Sequence, residues 1–259
     1  MIVKRDFAYT SGGNRPLHIY LPDDYATSGK HYPVVYFLDG HNLYFDEDAT
    51  YGKCWGIKTF LDNWCKELIV VGIECGHGEG ERLSEYLPYP AQANTFCDSI
   101  PVQGDNTFLW IIDELKPLID KEYPTYPHRT CTAIAGSSMG GLMAVYGAVH
   151  HNDVFSKAAC ISSSVSVCMP AIRADFAANP MDPDTRVYLS WGTKEAHGGV
   201  PDIWQEDTTS QSYHWNREIA QLVAQQGATA RMRCQVGGGH CEADWEKLVP
   251  EFMEFLWLE

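Results

Sequence analysis

The sequence predicts an α/β fold whose central sheet is mostly parallel and is flanked by helices on both faces. Two observations predict it. Continuous apolar runs, typical of strands buried on both faces, occupy residues 33–38, 68–73, 130–135 and 187–191. Helical periodicity recurs between and after them, in residues 106–123, 208–226 and 243–258. Strands that alternate with helices form parallel sheets, because each crossover lays its helix on a face of the sheet.

The remaining elements have weaker patterns. Residues 158–161 and 231–236 are further strand candidates, and residues 142–149 form a helix-like run. Near the N-terminus, apolar residues at 3–9 and 15–21 flank the turn Ser11-Gly12-Gly13-Asn14, which predicts a hairpin. Residues 75–105 and 193–207 fit no regular element. Loops of that length in a compact domain usually carry function or form a lid, so we expect both near the active site.

Length and composition favour a single domain that spans residues 1–259. Hydrophobic residues make up 45% of the chain, which is enough for a large core. The net charge of -15 argues against nucleic acid or an anionic membrane as a partner. The N-terminus has no signal core, and no run approaches the roughly 20 apolar residues that span a bilayer. The 9 cysteines include no C-x-x-C pair, so we expect reduced thiols in a cytoplasmic protein.

A serine between glycines is the most informative motif. Gly136, Ser138 and Gly140 form a G-x-S-x-G pattern between the apolar run 130–135 and the helix-like run 142–149. A serine at such a strand-to-helix turn is held in strained geometry with its hydroxyl exposed at the edge of the sheet. We therefore predict that Ser138 is a nucleophile.

An acyl-transfer serine needs a base, and in doubly wound hydrolases the base follows the serine in the chain. His240 follows the strand candidate 231–236 and three glycines, so its loop can bring the ring to Ser138. His150 and His151 lie at the far end of the helix that Ser138 begins, roughly 18 Å away. His214 lies within a helical pattern. His240 is therefore the predicted base, and the loop residue His197 is an alternative.

The orienting acid is expected after the preceding strand. Glu195 follows the strand 187–191 and can meet the far nitrogen of His240, with Asp202 as the alternative. The oxyanion hole needs two backbone N–H groups. One comes from the residue after the nucleophile, Met139, and the other from the loop after strand 33–38, at His41 or Gly40. This chemistry requires no cofactor and no metal.

Four segments together resemble the esterase D, or enterochelin-esterase-like, family of α/β-hydrolases. Their order and separations span nearly the whole chain. The segments are Leu38-Asp39-Gly40-His41-Asn42, Arg82-Leu83-Ser84-Glu85-Tyr86-Leu87-Pro88, Gly136-Ser137-Ser138-Met139-Gly140-Gly141 and Gly238-Gly239-His240.

The resemblance implies an α/β-hydrolase fold and the same catalytic assignments. Ser138 would be the nucleophile, His240 the base, Glu195 the acid, and His41 and Met139 the oxyanion donors. That family includes siderophore, feruloyl and acetyl xylan esterases, so the resemblance implies a small-molecule or carbohydrate ester as substrate.

Contacts with the substrate are expected from three residues of the loops. Trp55 and Trp204 would wall an acyl or aromatic pocket, and Arg82 would contact the substrate unless it pairs with Glu85 as a structural ion pair. The net charge of -15 and the lack of a basic cluster disfavour an anionic siderophore. An acyltransferase with the same site, a siderophore esterase and a non-enzymatic scaffold remain alternatives, and the oligomeric state is open.

Overall fold

The computed structural model describes residues 1–10 and 12–259. It confirms the predicted α/β class. One sheet of eight strands runs in the order β1-β2-β4-β3-β5-β6-β7-β8. The strands are β1 Ile2–Ala8, β2 Asn14–Tyr20, β3 Val34–Leu38, β4 Ile69–Ile73, β5 Thr132–Ser137, β6 Lys157–Ile161, β7 Arg186–Gly192 and β8 Thr229–Gln235.

The sheet is antiparallel at one end and parallel through the rest. β1 pairs antiparallel with β2, and β2 pairs antiparallel with β4, whereas every pairing from β4 to β8 is parallel. The register of the first pair runs from Ile2 opposite Tyr20 to Ala8 opposite Asn14, as expected for the predicted hairpin. Ser11 of its predicted turn lies outside the described residues. The parallel strands bring their carboxyl ends to one edge, where ligands bind in open α/β sheets.

The helices fall close to the predicted patterns, with three additions. They are α1 Ile57–Leu61, α2 Glu81–Glu85, α3 Gly104–Trp110, α4 Lys116–Glu122, α5 Met139–His150, α6 Met169–Ala178, α7 Gln211–Gln225, α8 Glu242–Trp245 and α9 Val249–Trp257. A π-helical turn joins α3 to α4, and a 3₁₀ turn separates α8 from α9. The helices α1, α2 and α6 were not expected, and α2 lies inside the segment 75–105. Among the described residues, no helix combines the length and the apolar character needed to cross a bilayer.

Trp55 belongs to the core and not to a pocket wall. Its side chain is only 2% exposed. The indole packs edge-on against Phe37 of β3, with ring centroids 5.2 Å apart, and stacks on Trp245 at 5.5 Å. The prediction that Trp55 contacts substrate is therefore corrected, because the neighbouring rings leave no face of the indole open to a ligand.

We expect Trp55→Ala to lower the free energy of unfolding by about 3–5 kcal/mol, because it leaves a cavity between two aromatic rings. Urea denaturation followed by circular dichroism measures this loss. The matched control is Trp204→Ala, since Trp204 is 68% exposed and such substitutions usually change stability by about 0.5 kcal/mol or less. Equal losses in the two variants would contradict the core assignment.

Candidate active site

Ser138 lies at a sharp turn between β5 and α5. β5 ends at Ser137, α5 begins at Met139, and Ser138 between them has φ 58° and ψ -120°. A non-glycine residue in this region costs about 1–3 kcal/mol and persists only where its surroundings impose it. A Cβ on Gly136 would lie 2.6 Å from the carbonyl carbon of Gly140, so only glycine lets the strand and the helix approach here.

Backbone hydrogen bonds hold the turn on both sides. The Ser138 N–H donates to the carbonyl of Ile161 at the end of β6, over 2.9 Å. The Ser138 carbonyl accepts from the N–H groups of Leu142 and Ser164, each over 3.0 Å. The serine is thus fixed to its own helix and to the neighbouring strand.

Glu195 and His240 meet at the same edge of the sheet. Glu195 follows β7, His240 follows β8, and the Glu195 Oε2 atom is hydrogen bonded to Nδ1 of His240. The other carboxylate oxygen accepts from the Gly192 N–H over 2.7 Å and from the Ser162 hydroxyl. A Cβ on Gly192 would lie 2.3 Å from the Gly238 carbonyl oxygen. Glycine at 192 is therefore what lets the His240 loop approach Glu195.

Trp245 and Ser162 support this pair, and the sequence did not single out either residue. The Trp245 indole N–H donates to the Ser162 hydroxyl oxygen over 2.9 Å, and the Ser162 hydroxyl donates to Glu195. The Trp245 ring also packs edge-on against His240, with centroids 4.9 Å apart. The orientation of the imidazole thus depends on a hydrogen-bond chain that begins in the core.

Ser138, Glu195 and His240 line a common cavity of about 320 Å³. The other lining residues are aromatic or hydroxyl-bearing for the most part. They are Phe96, Ser162, Ser163, Ser164, Trp191, His197, Ser212, Trp215 and Asn216. In the described part of the chain the Ser138 hydroxyl pairs with that of Ser164, at 3.3 Å, and not with His240. A rotation about the Ser138 Cα–Cβ bond would redirect the hydroxyl.

A second cavity, of about 440 Å³, lies on the other side of the serine. Ser138 and His240 line it as well, together with residues of the β3–α1 loop, of the segment after β4 and of α8. Those are Asp39, His41, Asn42, Thr50, Tyr51, Cys75, Gly76, His77, Gly78, Arg82, Ser137, Glu242 and Trp245. Ser138 thus borders two cavities.

The loop after β3 is locked in place beside this second cavity. Asp39 adopts a left-handed conformation with φ 58°, and both of its carboxylate oxygens accept from Arg82 over 2.7 Å. A Cβ on Gly40 would lie 2.3 Å from the carbonyl carbon of Gly72, so the loop presses against β4. Arg82 therefore pairs with Asp39 and not, as expected, with Glu85. Glu85 pairs instead with Arg15.

Met139, one predicted oxyanion donor, directly follows Ser138, and His41, the other, lines the second cavity with it. Met139 is the first residue of α5, so its N–H has no intrahelical acceptor. His41 lies in the 3₁₀ turn 40–42 that follows β3, at the edge of the second cavity. Both backbone groups thus come from elements that end at the serine's edge of the sheet.

The remaining candidates lie elsewhere. The Asp202 carboxylate accepts from the Trp204 N–H over 2.8 Å and from the Gln205 amide over 3.0 Å, so it stabilises its own loop. Trp204 lines neither cavity and lies under the Lys194 ammonium group, 5.2 Å from it. Its predicted contact with substrate stays a prediction. His150, at the end of α5, is hydrogen bonded to Asp175 at 2.9 Å.

A buried carboxylate of the second cavity was also missed by sequence analysis. Glu242, the first residue of α8, is only 4% exposed. Burial raises the pKa of this carboxyl group, and the nearby charge of Asp39 adds to the effect. Glu242 lies two positions after His240. A glutamate is usually exposed, so the sequence did not predict its burial.

A family comparison agrees with this geometry. Residues 9–257 match the family described as "Putative esterase". The chain belongs to this esterase family and is a carboxylic ester hydrolase.

Two curated relatives share part of the chain. The "Uncharacterized protein YbbA" of Bacillus subtilis (strain 168) is 27% identical over 196 residues, which is 74% of each chain. "Esterase MT1326" of Mycobacterium tuberculosis is 30% identical over 165 residues, 64% of this chain and 31% of the relative. The chain thus corresponds to under a third of the mycobacterial esterase.

Solved structures share the fold at low sequence identity. An IroE-like serine hydrolase from Shewanella oneidensis superposes with a TM-score of 0.73 at 18% identity, over 98% of this chain and 80% of that one. The enterobactin esterase FES from Shigella flexneri gives a TM-score of 0.73 at 17% identity, over 100% of this chain and 59% of that one. At these sequence identities the similarity shows a common fold and nothing more.

Proposed function

We propose that this protein is a serine esterase that cleaves neutral carboxylic esters through an acyl-enzyme on Ser138. The observation that supports it best is the hydrogen-bonded pair of Glu195 and His240, which lines one cavity with a serine held at positive φ. A nucleophile, a base and an orienting acid around one cavity are the parts that acyl transfer requires.

In the proposed acylation step, the Ser138 hydroxyl turns from Ser164 toward Nε2 of His240. As Oγ bonds to the ester carbonyl carbon, His240 takes the hydroxyl proton. Glu195 holds the ring through Nδ1 and stabilises the imidazolium that forms. The N–H groups of Met139 and His41 donate hydrogen bonds to the developing oxyanion, and each such donor is typically worth about 3–4 kcal/mol in the transition state.

Acylation is complete when His240 gives its proton to the alcohol oxygen as the C–O bond breaks, and the alcohol departs. In deacylation, water plays the part that Ser138 played in the first step. Water takes the place of the alcohol, gives a proton to His240 and attacks the acyl carbon. Collapse of this second intermediate returns the proton to Ser138 and releases the carboxylic acid. Every step uses side chains and backbone groups of residues described above.

The lining of the first cavity favours an acyl group with an aromatic ring. Trp191, Trp215 and Phe96 supply aromatic surface, and hydroxyl and amide groups such as Asn216 supply hydrogen-bond partners. None of the described residues that line it is a lysine or an arginine. We therefore propose a feruloyl-type or similar small ester, including esters of carbohydrates, over an anionic siderophore.

Ser138→Ala is expected to lower kcat/KM for p-nitrophenyl acetate by at least about 10³-fold, because it removes the nucleophile. The same variant should lose labelling by a fluorophosphonate probe. Ser99→Ala is the matched control, since Ser99 is exposed in the loop before α3. Hydrolysis and labelling that survive in Ser138→Ala would sink the mechanism.

Glu195→Gln is expected to lower kcat by about 10²–10⁴-fold, because the imidazolium loses its charged partner and the tautomer is no longer held. Asp202→Asn should leave kcat unchanged, since that carboxylate faces its own loop. Steady-state kinetics on the same ester compare the two variants. A full loss in Asp202→Asn with normal activity in Glu195→Gln would reverse the assignment of the acid.

Trp215→Ala is expected to lower kcat/KM for a feruloyl ester by about 3–10-fold, because aromatic contacts contribute about 0.5–1.5 kcal/mol. The value of kcat/KM for an acetyl ester should change less. Methyl ferulate and p-nitrophenyl acetate give the two values for each protein.

Faster hydrolysis of enterobactin than of methyl ferulate by the unmodified protein would favour the siderophore alternative. Esters formed with an added alcohol acceptor would favour an acyltransferase.

A further inference from the structure

Three potential metal ligands converge in the second cavity. His41, Cys75 and His77 each offer one donor atom, and these atoms all lie within 4.8 Å of one another. His41 comes from the turn after β3, and Cys75 and His77 come from the segment after β4. Because β3 and β4 are parallel neighbours in the sheet, their carboxyl ends bring the three side chains together.

Both histidines have one ring nitrogen engaged and the other available. Nε2 of His41 is 2.9 Å from the Thr50 hydroxyl oxygen, whereas its Nδ1 is buried and has no hydrogen-bond partner among the described residues. Nε2 of His77 is 2.8 Å from a carboxylate oxygen of Glu74. Histidines that bind metals commonly donate their second N–H to a carboxylate or another oxygen in this way.

The unpartnered nitrogen of His41 leaves room for a ligand. His41 is only 7% exposed, and a buried polar atom without a partner is costly in a folded protein. Cys75, 4% exposed, lies on the same cavity wall.

We propose that His41, Cys75 and His77 form a binding site for Zn²⁺, with a fourth coordination position open to the cavity beside Ser138. One thiolate and two imidazoles suit this ion. Nitrogen and sulfur donors bound to tetrahedral zinc lie about 3.3–3.6 Å apart at the usual Zn–N and Zn–S distances of about 2.0–2.3 Å.

The surrounding charges favour a cation. Of the charged residues that line this cavity, Asp39 is neutralised by Arg82, and Glu242 has no cation paired with it among the described side chains. Glu74, behind His77, is also hydrogen bonded to His18.

Zinc binding must displace a proton from Cys75. The reaction is Zn²⁺ plus a thiol giving a zinc thiolate and H⁺, so binding releases a proton.

The test uses the full chain after treatment with a chelator and a reductant. Zn²⁺ is titrated in competition with a chromogenic chelator, and Co²⁺ is added separately because a cobalt thiolate gives a charge-transfer absorption band. We expect one tight equivalent of Zn²⁺ and a thiolate band with Co²⁺. Cys75→Ser should abolish the band, and His77→Ala should weaken zinc binding by about 10–100-fold. His77 is a surface position, its side chain 62% exposed, so this second variant keeps the test valid if the buried one misfolds.

Matched controls separate this site from other donors. Cys65→Ser removes an exposed thiol, and His150→Ala removes a ligand from a second His–Asp group formed with Asp105 and His151. Both controls should keep the binding. A tight equivalent that survives in Cys75→Ser and His77→Ala, or that disappears in a control, would overturn the assignment, as would the lack of tight binding. No ester is used, so the result is independent of the proposed esterase mechanism.

Discussion

The close contact between the strand and the helix around Ser138 is the constraint on which the rest of the site depends. Gly136 and Gly140 approach so closely that no side chain fits between them, and this forces Ser138 into an unfavourable backbone conformation. The cost of about 1–3 kcal/mol is offset because β5 is fully buried and α5 nearly so. The serine hydroxyl is thereby presented at the sheet edge whether or not a substrate is bound.

Around this fixed point, the other groups come from loops that are held in place by polar contacts. Glu195 is held by the Gly192 N–H at the end of β7, and Asp39 by the Arg82 guanidinium beside β3. Both contacts involve a charged group with little exposure, and such hydrogen bonds are stronger than those between neutral groups. The loops can therefore vary in length without moving the groups that face the serine.

Local patterns were enough to predict the sheet and the positions of Ser138, Glu195 and His240, because strand periodicity and chain order determine where they lie. Contacts between distant segments could not be predicted in the same way. Arg82 pairs with Asp39 and not with the nearby Glu85, and Trp55 is buried although it follows a polar loop. Both outcomes depend on which loops the sheet order brings together, and neither a propensity nor a motif contains that information.

Trp245 links the interior to the reacting groups, since one face stacks on Trp55 while its edge contacts His240 and its N–H reaches Ser162. This arrangement constrains how the sequence can diverge. Changes in the loops that line the cavities alter which molecules fit and leave the core untouched. A change at Trp55 or Trp245 would affect both the folding of the protein and the orientation of the His240 imidazole. In related sequences we therefore expect the residues that determine specificity to vary more than Trp55 and Trp245.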